Sequence, residues 1–257
     1  MTYFEVNDSN RDDFSSRLLA FEKEFIYPLG NDRFKISHGT NYFKFFDNIG
    51  EVIYAGYTKD NHIAIVVCII KRVINKECIY YICDLKKKKG YSSSLTKSLT
   101  DTLYKKYNLE NKRIYAVSMN PFKRENTVAK VWNRTFQHHF KSDKTINLYS
   151  LNLDTFLKIR ELLEEKGTLS SISTRGVKDI ILQSNKLKLP LYHICFNKKE
   201  NKNIEIDREG MYMFCLLSDH ILNKKLESLG VKINSKATIL QRNMDDNNFD
   251  FINTSEI

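Results

Sequence analysis

Residues 79–107 read IYYICDLKKKKGYSSSLTKSLTDTLYKKY. An apolar, aromatic-rich strand runs into four lysines, one glycine and three serines, and leucines then recur four apart. Leu95, Leu99 and Leu103, continued by Tyr107, form one stripe of a helix that packs on a sheet. Gly90 allows a tight turn and a close backbone approach to a ligand. The first amides of the helix have no internal partners, and they face any anion placed there. Lys86, Lys87, Lys88 and Lys89 add positive charge. Two readings compete: a phosphate-binding turn, and a solvated lysine loop that precedes a helix.

Upstream, residues 51–58 (EVIYAGYT) and 62–73 (HIAIVVCIIKRV) are strands joined by a hairpin-like turn, and 77–85 follows a polar turn at Asn75-Lys76. Short turns between consecutive strands imply antiparallel pairing. Downstream, 113–119 is a strand. The unit 77–119 is therefore strand, helix, strand, paired in parallel through a right-handed crossover. Residues 12–26 carry Phe14, Leu18, Phe21 and Phe25 at helical spacing. Residues 27–39, with Pro28, Gly30 and Gly39, read as loop. Residues 125–136 read as a helix with Val128, Val131, Trp132 and Thr135 inward, and 146–151 as a strand.

Past residue 153 the order is a helix over 154–165 capped by Asp154, a polar stretch at 170–175, and strands at 179–182, 191–196 and 211–217. A helix capped by Ser218 or Asp219 then runs to Leu229 and stops at Gly230. A strand at 237–242 and a polar, frayed tail past Asp245 complete the chain. No internal repeat stands out, although 211–244 again reads strand, helix, strand. The expected fold is α/β (α+β): a mixed, mostly antiparallel sheet with one parallel pair and flanking helices. It divides into residues 1–153 and a smaller α/β part, 154–257, as a second domain or an appendage.

The chain has 257 residues, 42% hydrophobic and 28% charged, with a formal net charge of +10. That is a globular composition, and the charge suits an anionic partner such as a phosphate-bearing ligand, nucleic acid or an acidic surface. Nucleic acid is disfavoured because no interleaved aromatic–basic platform is present. The five cysteines, Cys68, Cys78, Cys83, Cys195 and Cys215, have neither zinc nor disulfide spacing and read as reduced thiols. The N-terminus is acidic and unlike a signal peptide, and the longest apolar run, 63–70, is too short to span a membrane. The expectation is a soluble cytoplasmic protein.

In its order of elements the chain resembles the GCN5-related N-acetyltransferases (GNAT). That family has Arg or Gln, two residues, Gly, one residue, then Gly or Ala at a strand-to-helix turn. Lys87, Gly90 and Ser92 hold that spacing, with Leu95 at the family's helix leucine. In a later helix the family often has Asn, Ala three on, and Tyr three on again; here Asn126, Ala129 and Trp132 follow the strand YAVSMN. The resemblance covers roughly residues 10–150. It implies acetyl-CoA, or another acyl-CoA, with its pantetheine arm between strands 77–85 and 113–119, which splay apart. The pyrophosphate then lies near Lys88, Lys89, Gly90, Tyr91, Ser92 and Ser93, with Leu85 and Lys87 adjoining. The activity implied is acyl transfer to a primary amine of a small molecule or a protein.

An attacking amine must lose a proton, since its ordinary pKa is roughly 10. Asp84, at the end of the first cleft strand, is the first candidate base, ahead of Glu77 and Glu51; the competing reading is a lysine-paired carboxylate. Ser118 and Asn120 stand at the end of the second cleft strand, facing cofactor or substrate, or else Asn120-Pro121 simply opens a turn. Asn126 contacts the pantetheine arm or caps its helix. Lys87 binds phosphate as a point charge without the Arg fork. Trp132 replaces the family's usual acid, Tyr, and cannot cycle a proton near neutral pH. Either Tyr149 or a water protonates the thiolate, or no acid is needed, or the chain binds acyl-CoA without turnover. His38 reads as a substrate-side or turn residue, and Tyr42, Phe43, Phe45 and Phe46 as core or a ligand stack. The adjacent His138 and His139 do not make a metal pair. The C-terminal part shapes the acceptor side or mediates homodimer contacts.

Overall fold

Residues 63–70 form an unbroken buried run, so the strand they occupy must be covered on both faces. The computed structural model shows how. It describes residues 1–29, 32–120, 126, 132, 140–196, 210–244 and 249–257. The first half contains β1 (Thr2–Glu5), α1 (Arg11–Glu22), β2 (Tyr27–Leu29), β3 (Asp32–Ser37), α2 (Lys44–Asp47), β4 (Glu51–Lys59), β5 (His62–Ile74), β6 (Glu77–Lys87), α3 (Ser93–Lys106) and β7 (Arg113–Met119). The second contains β8 (Lys141–Leu151), α4 (Leu153–Glu164), β9 (Leu169–Ser173), β10 (Asp179–Leu182), β11 (Lys188–Leu189), β12 (Leu191–Phe196), β13 (Met211–Leu217), α5 (Leu222–Ser228) and β14 (Ser235–Arg242).

A ten-stranded sheet runs in the order β1-β4-β5-β6-β7-β14-β8-β13-β12-β9, and a four-stranded sheet in the order β11-β10-β3-β2. In the large sheet two neighbouring pairs are parallel, β6 with β7 and β12 with β13. About the β14–β8 contact the order is symmetric over four strands on each side. Each half contributes a parallel pair and a last strand, and the last strands are exchanged: β14 pairs with β7, and β8 with β13. This topological repeat corrects the reading of a chain without one. It also means that the sheet does not break at residue 153.

Side chains of β5 alternate between two cores. Val66, Cys68 and Ile70 face α1, α2 and the last residues of the chain, together with Phe14, Leu18, Phe46, Tyr54, Phe249 and Ile252. Ile65, Val67 and Ile69 face α3, with Leu99, Leu103 and Trp132. A third core joins α4 and α5 to β8, β12 and β13. Burying these stripes gives about 1.5–3 kcal/mol per large apolar side chain.

Several expectations are corrected. Residues 27–39 are not a loop but hold β2 and β3, because Phe34 and Ile36 alternate against β10. The polar stretch 170–175 lies largely in β9. Asn152, not Asp154, caps α4, its side chain accepting from Thr155 N at 2.9 Å. Neither Ser218 nor Asp219 caps α5; Ile221 holds that place without a side-chain bond. The tail is not frayed: Phe249, Ile252, Thr254, Ser255 and Glu256 are buried. The expected helix over 125–136 falls outside the described residues apart from Asn126 and Trp132. Among the described residues no helix is long and apolar enough to cross a membrane.

Candidate functional site

β6 and β7 pair only from Ile79 and Arg113 to Ile82 and Ala116, yet β6 continues to Lys87 and β7 to Met119. Beyond Ile82 the two strands part. β7 stays in the sheet because β14 holds its other edge, up to Ala237 opposite Met119. At the same level β6 is bulged. Cys83 faces Cys68 and Lys86 faces Val66, so Asp84 and Leu85 share Val67. A bulge bends its strand and leaves one residue out of the ladder. Asp84 has φ +50°, the left-handed region, which costs a non-glycine residue about 1–2 kcal/mol.

A buried ionic cluster holds that conformation. Asp84 Oδ1 lies 2.5 Å from Lys86 Nζ. Asp84 Oδ2 accepts from Tyr42 OH at 2.6 Å and also from Tyr54 OH. Lys86 Nζ donates to Glu22 Oε1 at 3.1 Å and to Tyr42 OH at 2.9 Å. Glu22 Oε1 is 2.6 Å from His38 Nδ1, and Glu22 Oε2 accepts from His38 N at 3.1 Å. The His38 ring packs on Tyr42, Phe45 and Phe46, and its Nε2 is buried without a hydrogen-bond partner among the described residues. Burial alone would push the Asp84 carboxyl up, but the Lys86 ammonium, then His38 and the hydrogen bonds, outweigh it and hold the group below the ordinary carboxylate range. Burial works against the Lys86 ammonium too, yet Asp84, with Tyr42 and Glu22, raises it well above its ordinary value. Asp84 is thus a carboxylate fixed by three donors.

The four lysines part ways. Lys86 points into this cluster, which corrects its placement beside the anion turn. Lys87 Nζ donates to Tyr91 O and braces the turn. Lys88 anchors its backbone through Lys88 N to Ala64 O at 2.9 Å, and its exposed Nζ meets Glu24 at 3.0 Å. Lys89 is exposed. Gly90 has φ +95°, and a Cβ there would meet nothing within 4 Å. Ser92 caps α3, its Oγ accepting from Ser94 N at 3.2 Å, and Ser93 opens the helix. The strand, glycine turn and serine-capped helix stand in the expected order, and the helix begins on the face to which Leu85 turns.

At the β7 edge, Ser118, Asn120 and Asn126 are brought together. Ser118 Oγ donates to Asn126 Oδ1 at 3.1 Å. Asn126 Nδ2 donates to Asn120 Oδ1 at 2.7 Å and to Ser118 O at 3.2 Å, and Thr238 Oγ1 donates to Asn120 Oδ1 at 2.8 Å. Tyr149 stands elsewhere. It belongs to the third core, stacked on Phe214 at 4.8 Å, and donates to Asn223 Oδ1 at 2.8 Å; burial pushes its hydroxyl pKa up. Trp132 is buried against Phe140.

Across the face opposite α3 lies the chain's last segment. Arg72 pairs with Glu256 at 2.6 Å, Tyr81 OH donates to Glu256 O at 2.6 Å, and Lys178 Nζ donates to Ser255 O and to an oxygen of Ile257, both at 3.1 Å. Sequence reasoning missed Glu22, Tyr54, Lys178 and Glu256. Asp84 and Lys86, two apart on a strand, carried the one local signal, a shared face. Among the described residues no His, Cys, Asp or Glu cluster has metal-site geometry. An open depression of about 330 Å³ runs along α3, lined by Ser94, Lys97, Ser98, Asp101, Thr102 and Lys105; these residues form the helix's polar side, away from the leucines that face the sheet.

No protein-family model matches the sequence, and no curated protein matches it. Among solved structures, a tandem GNAT protein from the clavulanic acid biosynthesis pathway matches over 93% of this chain and 98% of its own, at 8% identity and a TM-score of 0.53. The fold is GNAT-like. A GCN5-related N-acetyltransferase from Sphaerobacter thermophilus matches over 93% of this chain and 95% of its own, at 9% identity and a TM-score of 0.43. At such identities the likeness concerns the path of the backbone. The GNAT-like sheet, with its diverging parallel pair, is the one expected from the order of elements.

Proposed function

We propose that the chain binds an acyl-CoA, most simply acetyl-CoA, in the gap between β6 and β7 and transfers the acyl group to a primary amine. The observation that carries the reading is the coincidence of three features on one strand. β6 leaves β7 after Ile82, bulges at Asp84–Leu85, and delivers the chain through Gly90 to a serine-capped helix N-terminus. The residues suit the ligand. The N-terminal end of α3, with Lys87, Lys88, Lys89, Tyr91, Ser92 and Ser93 around the Gly90 turn, matches a pyrophosphate, and the parted strands offer ladder groups to an amide-bearing arm.

A bound acyl-CoA supplies an activated thioester carbonyl. The chain's own contribution is orientation and polarity. The bulge frees backbone donors at the gap, where they can face developing negative charge. Asp84, gripped by Lys86, Tyr42 and Tyr54, holds the bulge; a carboxylate kept below its ordinary pKa is a weak proton acceptor, so its role is positioning. Ser118, Asn120 and Asn126 line the β7 edge toward the ligand. The second half contributes β14 to that edge.

The test is calorimetric titration of acetyl-CoA and CoA into the native protein and a Gly90→Trp variant. The φ of +95° strains any side chain, but the space around Gly90 is open, so the variant should keep its fold at a modest cost in stability and lose binding. A folded native chain that binds neither ligand would overturn the reading. A second reading, acyl-CoA binding without turnover, is favoured by the fully engaged Asp84. Tight binding with no product across a broad panel of amines would select it.

A further inference from the structure

The five cysteines all stand on strands of the large sheet, and their ladder partners sort them. Cys78 is exposed and faces Val73. Cys195 faces Ser170, and Cys215 faces Leu148. The thiols of these two donate to carbonyls, Cys195 Sγ to His193 O at 3.8 Å and Cys215 Sγ to Ile252 O at 3.3 Å. Cys68 and Cys83 face each other. They are direct partners in the antiparallel ladder of β5 and β6.

Direct partners carry their side chains on one face of a sheet, and both cysteines belong to the core that faces α1, α2 and the chain's last residues. Opposed residues of an antiparallel pair stand about 4.5–5.5 Å apart at Cα, inside the roughly 4.4–6.8 Å that a disulfide spans. Cys68 is fully buried, and Cys83 is partly exposed. Burial, and then a hydrogen bond with the Cys83 thiol, hold the Cys68 thiol well above its ordinary pKa. One sulfur is thus open to solvent, with a second held behind it, as attack and resolution by two thiols require. The place is also particular. Cys83 is the first residue of β6 beyond the last β6–β7 pair, Ile82 with Ala116, and the bulge at Asp84–Leu85 follows it at once.

We propose that Cys68 and Cys83 are a redox-responsive dithiol, which a low-molecular-weight disulfide such as oxidised glutathione converts to an intrachain disulfide. The Cys83 thiol loses its proton and attacks one sulfur of the small disulfide. An S–S bond forms, the old one breaks, and the departing thiolate takes up a proton as the first small thiol. The Cys68 thiol then gives up its proton through water and attacks Cys83 Sγ, and the second small thiol leaves. Two cysteine thiols are oxidised and one small disulfide is reduced to two thiols. The product ties β6 to β5 at the root of the opening, beside the bulge. The step needs no ligand in the gap and is independent of the acyl-CoA reading.

The experiment uses the full chain with Cys78→Ser, which removes the exposed thiol and leaves four of the five cysteines. The folded protein is held in glutathione buffers of increasing oxidised fraction, quenched with acid, alkylated and digested with trypsin without reductant. Cleavage after Lys59, Lys71, Lys76 and Lys86 releases residues 60–71 and 77–86, which stay joined only through a disulfide from Cys68 to Cys83. The expected result is that joined pair as the one cross-link, with free thiols, titrated after unfolding, falling from four per chain to two. Dithiothreitol should restore all four. Cys83→Ser in the same background should leave Cys68 reduced, because the buried thiol has then lost the partner through which it is reached. A folded chain that keeps its four thiols would overturn the proposal. So would glutathione retained on Cys83, a cross-link of Cys195 to Cys215 in place of this one, or a 68–83 pair that forms only in urea.

Discussion

Lys86→Met keeps the reach of the side chain and removes its charge. In the native chain the ammonium lies 2.5 Å from Asp84 Oδ1 and 3.1 Å from Glu22 Oε1, and the side chains of Lys86, Asp84 and Glu22 are 4%, 9% and 3% exposed. An exposed pair would be worth at most about 1 kcal/mol. Here two carboxylates are left buried, and removing one partner of a buried pair costs about 3–5 kcal/mol, a large share of the roughly 5–15 kcal/mol that holds a domain together. The sign with pH follows from Asp84. Its native pKa is depressed, so its contribution is present above the unfolded value, about 3.9, and fades as pH falls through the lower folded one. In the variant only His38 and the tyrosine hydrogen bonds still oppose burial, the largest influence on this group, so the carboxyl moves up from its native position; the penalty is then greatest at neutral pH and is relieved as the group protonates. The gap in stability between native chain and variant should therefore narrow from pH 7.5 to pH 5. Urea unfolding followed by the fluorescence of Trp132, the sole tryptophan, reads both effects. A loss below about 1 kcal/mol, or a loss independent of pH, would refute the cluster as described. So would a Lys86→Met/Asp84→Asn double variant whose loss is the plain sum of the two single losses, because paired groups must couple.

Ser92→Ala removes the side-chain acceptor from Ser94 N and should lower stability by about 1 kcal/mol, seen as a lower melting temperature; an unchanged value would mean that the cap is idle. A fragment ending at residue 153 lacks β14, leaving the β7 edge from Ile114 to Met119 and the facing edge of β8 unpaired. Circular dichroism and unfolding should show an aggregated or non-cooperative chain, and a cooperative, monomeric fragment would show instead that the first half stands alone.

What the sequence disclosed is local. The antiparallel run β4–β5–β6, the leucine stripe of α3, the serine cap and β7 all follow from period and punctuation within about ten residues. A run of four lysines, by contrast, hides its own alternation: identical side chains give no sign that Lys86 turns inward while Lys87 braces the turn. The bulge at Asp84 has no residue signature either, since Asp is one of the few types that tolerate φ of +50°. Glu22 and His38 reach the cluster from α1 and the end of β3, 64 and 16 residues from their partners Lys86 and Glu22. The polar tail read as frayed because its burial depends on Arg72 and Lys178, far away along the chain.

The exchange of last strands explains why a chain with two diverging parallel pairs has one candidate site. β12 and β13 pair from Leu191 and Met211 to His193 and Met213, and both then run on, to Phe196 and Leu217. This second opening has the geometry of the first and a different filling. Phe196 meets Phe214 edge to face at 6.2 Å, Tyr149 stacks on Phe214 from β8, and Phe156 of α4 stacks on Tyr212 at 4.5 Å. Rings of this size close the space with apolar surface, where the first opening is bordered by Asp84, Ser118, Asn120 and a capped helix terminus. Tyr149, expected to serve the first gap, is spent on sealing the second. The second half thus acts on the candidate site through what it lends: β14 fixes β7 so that β6 can diverge.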